Sequence, residues 1–372
     1  MQLRRVALAV AIGVTVAALP ACSDGGAASG GLTAELVDVD GGVESIAGVV
    51  EWEDGLLAVD RSGTVLRAEN GRDWKVSVST LPRADGVTGL ARSGDALVAV
   101  GLRDVGRSED DYAFEPLVWR SGDGRVWDEV APAGLSAPGV SVRTHTLTTD
   151  ADGFVLFGSH FPPRFTDDET DDEAREEVEA EEEDVEEPPP DPDTEGLVVW
   201  RSTDGRSWQR VAEDGLSDPA GYSLQAVHAV AVRGDTWLAA LGTECAGCYD
   251  DFAFGLWRSD DGGATWAELD DVEGLDDIDL PNSDALPVVV ATDDGFLAFG
   301  RAEVFERDEN EAMLFRAWRS EDGERWEEIG SAEARATETD FSDSIDVATV
   351  TDDAVIALYA AANGLVVLRF AR

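Results

Sequence analysis

The chain has 372 residues, with 78 Asp and Glu against 28 Lys and Arg, a formal net charge of −50. So acidic a surface excludes a nucleic-acid binder, which needs a cationic groove to displace counterions, and argues against docking on anionic lipid through a basic patch. Disorder throughout is excluded as well, because 43% apolar residues, 11 Trp and 13 Phe can fill a large core.

Residues 1–21 read as a signal peptide. Arg4 and Arg5 precede the apolar run Val6 to Leu19 (VALAVAIGVTVAAL), which is too short and too badly flanked for a spanning helix. The run ends in Leu19-Pro20-Ala21-Cys22. That ending resembles a bacterial lipobox, and the resemblance implies cleavage before Cys22 and acylation of its thiol. An ordinary secretory signal with an incidental Cys is the alternative. Residues 22–31 then form a flexible tether, with SDGGAASGG from Ser23 to Gly31. The expected location is the cell membrane, through the lipid anchor alone, facing the extracellular or periplasmic side.

From residue 32 onward the chain repeats itself. A degenerate copy, Leu66 to Trp74 (LRAENGRDW), is followed by Trp119 to Trp127 (WRSGDGRVW) and Trp200 to Trp208 (WRSTDGRSW). Trp257 to Trp266 (WRSDDGGATW) and Trp318 to Trp326 (WRSEDGERW) complete the set. Upstream of each lies an apolar run behind a turn, such as Asp95 to Gly101 (DALVAVG) or Gly295 to Gly300 (GFLAFG). Another apolar segment precedes that run, as in Val227 to Val232 (VHAVAV), and a short alternating stretch follows the last Trp. Runs of this kind bounded by Gly and Asp are strands, four to a unit. Four short strands and an aromatic motif per period predict a β-propeller over residues 32–372.

The blade count comes from the two ends. Asp353 to Tyr359 (DAVIALY) and Gly364 to Phe370 (GLVVLRF) repeat the second and third strands, and no fourth follows. Leu32 to Val37 (LTAELV) resembles a fourth strand lacking the three before it. Pairing the fragments closes a sixth blade and removes the open edges. The expected fold is all-β: a six-bladed propeller of four-stranded antiparallel blades, closed by the N-terminal strand.

Two segments interrupt the pattern. Between the second and third copies, residues 165–195 form an acidic insertion expected to be disordered; 18 of the 29 residues from 167 to 195 are Asp or Glu. Removing those 29 still leaves 60 acidic against 27 basic residues. Solubility in a salty habitat is one account of that charge, and capture of a cation or a cationic partner is the other. No cofactor is expected, although converging oxygen-rich loops would suit Ca²⁺. Cys245 and Cys248 form a C-x-x-C pair that reads as a small disulfide in an exported protein, with redox chemistry the lesser alternative. A zinc site lacks its second Cys pair, and His145, His160 and His228 stand at no metal-ligand spacing, so no metal site is assigned.

The S-x-D-G-x-x-W pattern resembles the Asp-box, or bacterial neuraminidase repeat, and Ser259 to Trp266 (SDDGGATW) matches its commonest form. The resemblance implies a hairpin between the third and fourth strands of each blade. It assigns structural roles to Asp123, Trp127, Asp204, Trp208, Asp261, Trp266, Asp322 and Trp326. The residue chemistry agrees: a short Asp caps turn amides, Gly takes positive φ and Trp wedges between blades.

In such a meander the repeated turns share one face, while the variable connections share the other. These include Arg103 to Pro116, Phe161 to Glu195, Thr243 to Phe254, Ala302 to Met313 and Asp270 to Pro287. The expectation is a monomeric, non-catalytic propeller that binds a protein or glycan through that variable face, with no catalytic residue assigned. The alternative is a sialidase-like glycoside hydrolase. That chemistry wants three converging arginines, a Tyr-Glu pair and an Asp acid. The family's N-terminal R-I-P signature is missing, and only Tyr112, Tyr222, Tyr249 and Tyr359 are available.

Overall fold

The computed structural model describes residues 31–39, 42–43, 45–69, 71–82, 85–106, 113–137, 139–163, 196–211, 215–216, 224–244, 252–269, 272–275, 287–307, 310–335, 345–362 and 364–372. The signal peptide, the tether up to residue 30 and the acidic insertion from residue 165 lie outside the described residues. Strand β1 (Leu32–Val37) comes first. Blade 1 is β2 (Ile46–Trp52), β3 (Gly55–Asp60), β4 (Thr64–Ala68) and β5 (Lys75–Thr80). Blade 2 is β6 (Gly86–Ser93), β7 (Ala96–Asp104), β8 (Phe114–Ser121) and β9 (Asp128–Val130). Blade 3 is β10 (Ser141–Thr149), β11 (Phe154–Phe161), β12 (Gly196–Ser202) and β13 (Gln209–Val211). Blade 4 is β14 (Leu224–Arg233), β15 (Thr236–Glu244), β16 (Phe252–Ser259) and β17 (Ala267–Glu268). Blade 5 is β18 (Val288–Thr292), β19 (Gly295–Arg307), β20 (Asn310–Ser320) and β21 (Glu327–Ala334). Blade 6 is β22 (Val347–Val350), β23 (Ala354–Ala361) and β24 (Gly364–Ala371), with β1 as its fourth strand.

The fold is thus a six-bladed β-propeller, and the two ends of the described chain meet in one sheet. β1 runs antiparallel to β24 in a continuous register from Leu32↔Phe370 to Val37↔Leu365. The innermost strands β2, β6, β10, β14, β18 and β22 surround a central channel of about 440 Å³.

The second strand of each blade shows why an unbroken apolar run makes this architecture. Side chains alternate across a strand, and a blade is buried on both faces. In β7, Leu97 and Ala99 pack toward blade 1 while Val98 and Val100 pack toward blade 3. Phe154 and Leu156 of β11 likewise face blade 2, whereas Val155 and Phe157 face blade 4. The core therefore lies between blades, and amphipathic alternation is absent where burial is two-sided.

The meander places the first-to-second and third-to-fourth turns at one end, called here the turn face. The other connections form the loop face. Three loops expected there are shorter than their sequence suggests. β19 and β20 pair as far as Arg307↔Asn310, so Ala302 to Met313 extends the hairpin instead of forming a loop. Arg103, Asp104 and Phe114 to Pro116 likewise belong to β7 and β8, and β15 and β16 reach Glu244 and Phe252. Each ladder continues because it goes on supplying partners for backbone N–H and C=O groups.

Candidate functional site

The repeated carboxylates are committed to turns. Asp123 Oδ1 accepts from the Arg125 and Val126 amides, each at 2.8 Å, while Ser121 Oγ accepts from Gly124 N at 2.8 Å. Asp204 repeats this on Arg206 and Ser207, at 2.8 and 2.9 Å. Asp322 does the same on Glu324 and Arg325, at 2.9 and 3.1 Å. Asp261 caps Thr265 through both its amide (2.8 Å) and its hydroxyl (2.7 Å). These donors favour the ionised form and hold all four carboxyls below the usual Asp range, Asp261 to about 2. The glycines permit close packing: Gly124 has φ +61°, and a Cβ there would lie 2.5 Å from Leu57 Cδ1 of blade 1.

Trp and Arg of the W-R-S strands point to opposite neighbours. Trp119 and Trp127 are buried against blade 1, and Trp208, Trp266 and Trp326 are buried in the same way. The arginines reach forward to the next blade's turn. Arg67 donates to Asp123 O at 2.9 Å, and Arg258 donates to Asp322 O at 3.0 Å and to Glu324 at 2.9 Å. The motif is a staple between consecutive blades. It lies on the turn face, remote from the variable connections.

A different set of polar groups gathers where the channel meets the loop face. β2, β6, β10 and β14 each carry a bulge there, at Ala47, Thr88, His145 and His228. A bulged residue leaves the ladder and is re-aimed. Thr88 Oγ1 and Thr144 Oγ1 share a hydrogen bond of 2.7 Å between blades 2 and 3. Val227 N–H donates to His145 Nδ1 at 3.2 Å, which leaves Nε2 as the protonated nitrogen toward Ser159 Oγ at 3.1 Å. His228 Nε2–H donates to Ile345 O at 3.2 Å, spanning from blade 4 to the segment leading into blade 6. Next to Ile345, the Asp346 carboxylate accepts from Ser45 Oγ and, at 2.7 Å, from Ala360 N–H.

Burial disfavours the charged form of each of these groups. It lowers His145 to about 3, with Arg143 adding repulsion. His228 is lowered to about 4, again by burial; the Ile345 carbonyl opposes the shift and Arg61 reinforces it. Asp346 is raised to about 6 by burial, against hydrogen bonds from Ser45, Ala360 and Ile46 and the Arg61 charge. His228 lines the channel and both histidines are only half-buried, so partial exposure tempers their desolvation. Arg61 and Arg143 are exposed, and neither guanidinium has a hydrogen bond or ion pair with another described residue.

Sequence spacing assigned these histidines to no site, and only the bulge register brings them to one rim. Among the described residues, no group of three His, Cys, Asp or Glu side chains could hold a metal ion, and no helix is long and apolar enough to cross a membrane. Cys22, Cys245 and Cys248 lie outside the described residues, as do Tyr112, Tyr222 and Tyr249. Tyr359 is fully buried against Phe315, with ring centroids 5.6 Å apart.

With the ring and its rim described, the chain can be set beside solved proteins. A protein of unknown function from Dyadobacter fermentans superposes with a TM-score of 0.51 at 12% identity, over 91% of this chain and 98% of that one. The likeness is one of fold. A Trypanosoma rangeli sialidase in complex with 2,3-difluoro-KDN gives 0.49 at 12% identity, covering 90% of this chain and 58% of the sialidase. YCF48 bound to a D1 peptide gives 0.44 at 12% identity, covering 91% and 97%. No family model matches the chain, and no curated protein matches it.

Proposed function

We propose that the protein is an exported, lipid-anchored and non-catalytic propeller that binds a protein or glycan partner at the loop-face mouth of its channel. The observation that carries this reading is the occupation of two described carboxylates at and beside that mouth, Asp346 and Asp60. A glycosidase needs two carboxyl groups facing each other across the scissile bond. Asp346 is engaged by Ser45 and Ala360, and Asp60 Oδ1 accepts from Ser62 Oγ and Thr64 N at 2.7 Å each. The motif carboxylates are capped on the opposite face. Arg61 and Arg143 are what the described rim offers to a ligand, and they suit an anionic or hydrogen-bonding group.

Those same arginines favour a second reading, the sialidase-like hydrolase, because unpaired guanidiniums can grip a substrate carboxylate. One pair of measurements separates the two. Purified protein is assayed on fluorogenic sialosides and screened for binding on a glycan array and by crosslinking in native membranes. The expected result is no turnover together with saturable binding that Arg61→Ala and Arg143→Ala weaken at least tenfold. Turnover on any sialoside overturns the non-catalytic reading.

A further inference from the structure

We infer that the turn face of the propeller looks toward the membrane and that the loop face, with its channel mouth and acidic insertion, points away from it. This rests on the lipid-anchor reading of Cys22. The deciding feature is the polarity of β1. Leu32 pairs with Phe370 near the C-terminal end of β24, and Val37 pairs with Leu365 near its start. A third strand runs from the loop face to the turn face, so the chain enters β1 at the turn face. Leu32 also lies against Gly330 of β21 in blade 5, so this entry point sits on the outer wall at the junction of blades 5 and 6.

Reach and charge both follow from that entry point. Ten residue steps separate Cys22 from Leu32, at most about 35 Å of chain. Turning the loop face to the bilayer would make the tether run back along β1, whose six residues span about 20 Å. Little would remain to clear the loops. Charge acts in the same direction. At the turn face, Arg67, Arg201, Arg258, Arg319 and Arg369 pair with Glu53, Asp150, Asp260, Asp294 and Asp353 and so offset part of that face's negative charge. The segment from 167 to 195, with 18 acidic residues, joins β11 to β12 at the loop face. An anionic headgroup surface repels the second end far more strongly than the first. Val126, 63% exposed in the blade 2 turn, then lies on the membrane side.

Energy transfer to the bilayer tests the orientation. In a background with Cys245→Ser and Cys248→Ser, a donor dye is placed at Val126→Cys on the turn face or Val105→Cys on the loop face. A second pair, Arg206→Cys and Arg335→Cys, guards against misfolding at either site. The full-length protein, taken from its own secretory pathway, is reconstituted in phosphatidylethanolamine–phosphatidylglycerol vesicles carrying a rhodamine headgroup acceptor. Because β11 alone spans eight residues, or about 26 Å, the turn-face sites should transfer several-fold more than the loop-face sites. Cys22→Ala should abolish transfer from both. Protein that floats with the vesicles but transfers equally from the two faces, or more from the loop face, overturns the orientation alone. Protein that does not float overturns the anchor and the orientation together.

Discussion

Asp204 commits one carboxylate oxygen to the amides of Arg206 and Ser207, at the same turn position as Asp123, Asp261 and Asp322. The turn is solvent-exposed, so water replaces part of what is lost on truncation. Asp204→Ala should lower stability by about 1 kcal/mol, and Asp204→Asn, which keeps an acceptor, by less; urea unfolding of the two variants is the check. The histidines act through pH. His145 and His228 are held to about 3 and 4, below the usual value of about 6.5. Their contribution is complete above 6.5 and is lost as pH falls toward those values. Asp346, raised to about 6, has the opposite sign: its contribution is complete below the ordinary Asp value and is lost as pH rises through 6. Two groups outweigh one, so Tm should fall between pH 6.5 and 4.5. The paired variant His145→Asn, His228→Gln keeps an acceptor toward Val227 and a donor toward Ile345. It should recover roughly 2–4 kcal/mol of that acid loss, allowing for the partial exposure of both rings. An unchanged pH slope in the variant would remove the histidines from the account.

β1 is the element whose removal distinguishes a closed ring from a row of blades. It covers β24, whose Leu365, Val366 and Leu368 are fully buried. Deleting residues 32–38 would leave that strand with an open edge and an uncovered apolar face. The truncated protein should lose several kcal/mol or aggregate, whereas trimming residues 23–31 should leave the melting temperature unchanged. Equal melting of the two truncations would contradict closure by β1. Blade 5 shows the reverse effect of element length. Its inner strand β18 has five residues, while β19 and β20 have 13 and 11. The blade is short at the axis and long at the loop face, and His228 reaches directly from blade 4 to Ile345 ahead of blade 6.

At the scale of the molecule, self-repulsion dominates. Replacing residues 167–195 by a short Gly-Ser linker removes 18 carboxylates and one Arg. The segment joins β11 to β12, and the seven register pairs between these strands, from Phe154↔Ser202 to His160↔Gly196, stay intact without it. The deletion should therefore be at least as stable as the full chain at low salt, and its Tm should vary less with ionic strength. If calorimetry instead finds a saturable Ca²⁺ or polycation signal that the deletion loses, the acidity serves binding and not only solubility.

The sequence by itself determined the six blades, their four-strand meander and the closure by Leu32–Val37. All of these depend on a local pattern, two-sided apolar strands and capped turns, copied along the chain and completed at its ends. The staple was half visible. The Trp–Arg alternation was plain, but that Arg67 grips the Asp123 turn of the following blade depends on the offset between blades. Only the tertiary structure decided the rim of the channel. His145 and His228 are 83 residues apart and occupy equivalent bulges in neighbouring blades, while Ser45 meets Asp346 across the closing junction of the ring. A bulge is one extra residue in a strand and leaves no composition signal. Contacts around a closed ring join residues that the chain separates by hundreds of positions, and only the register of the blades puts them side by side.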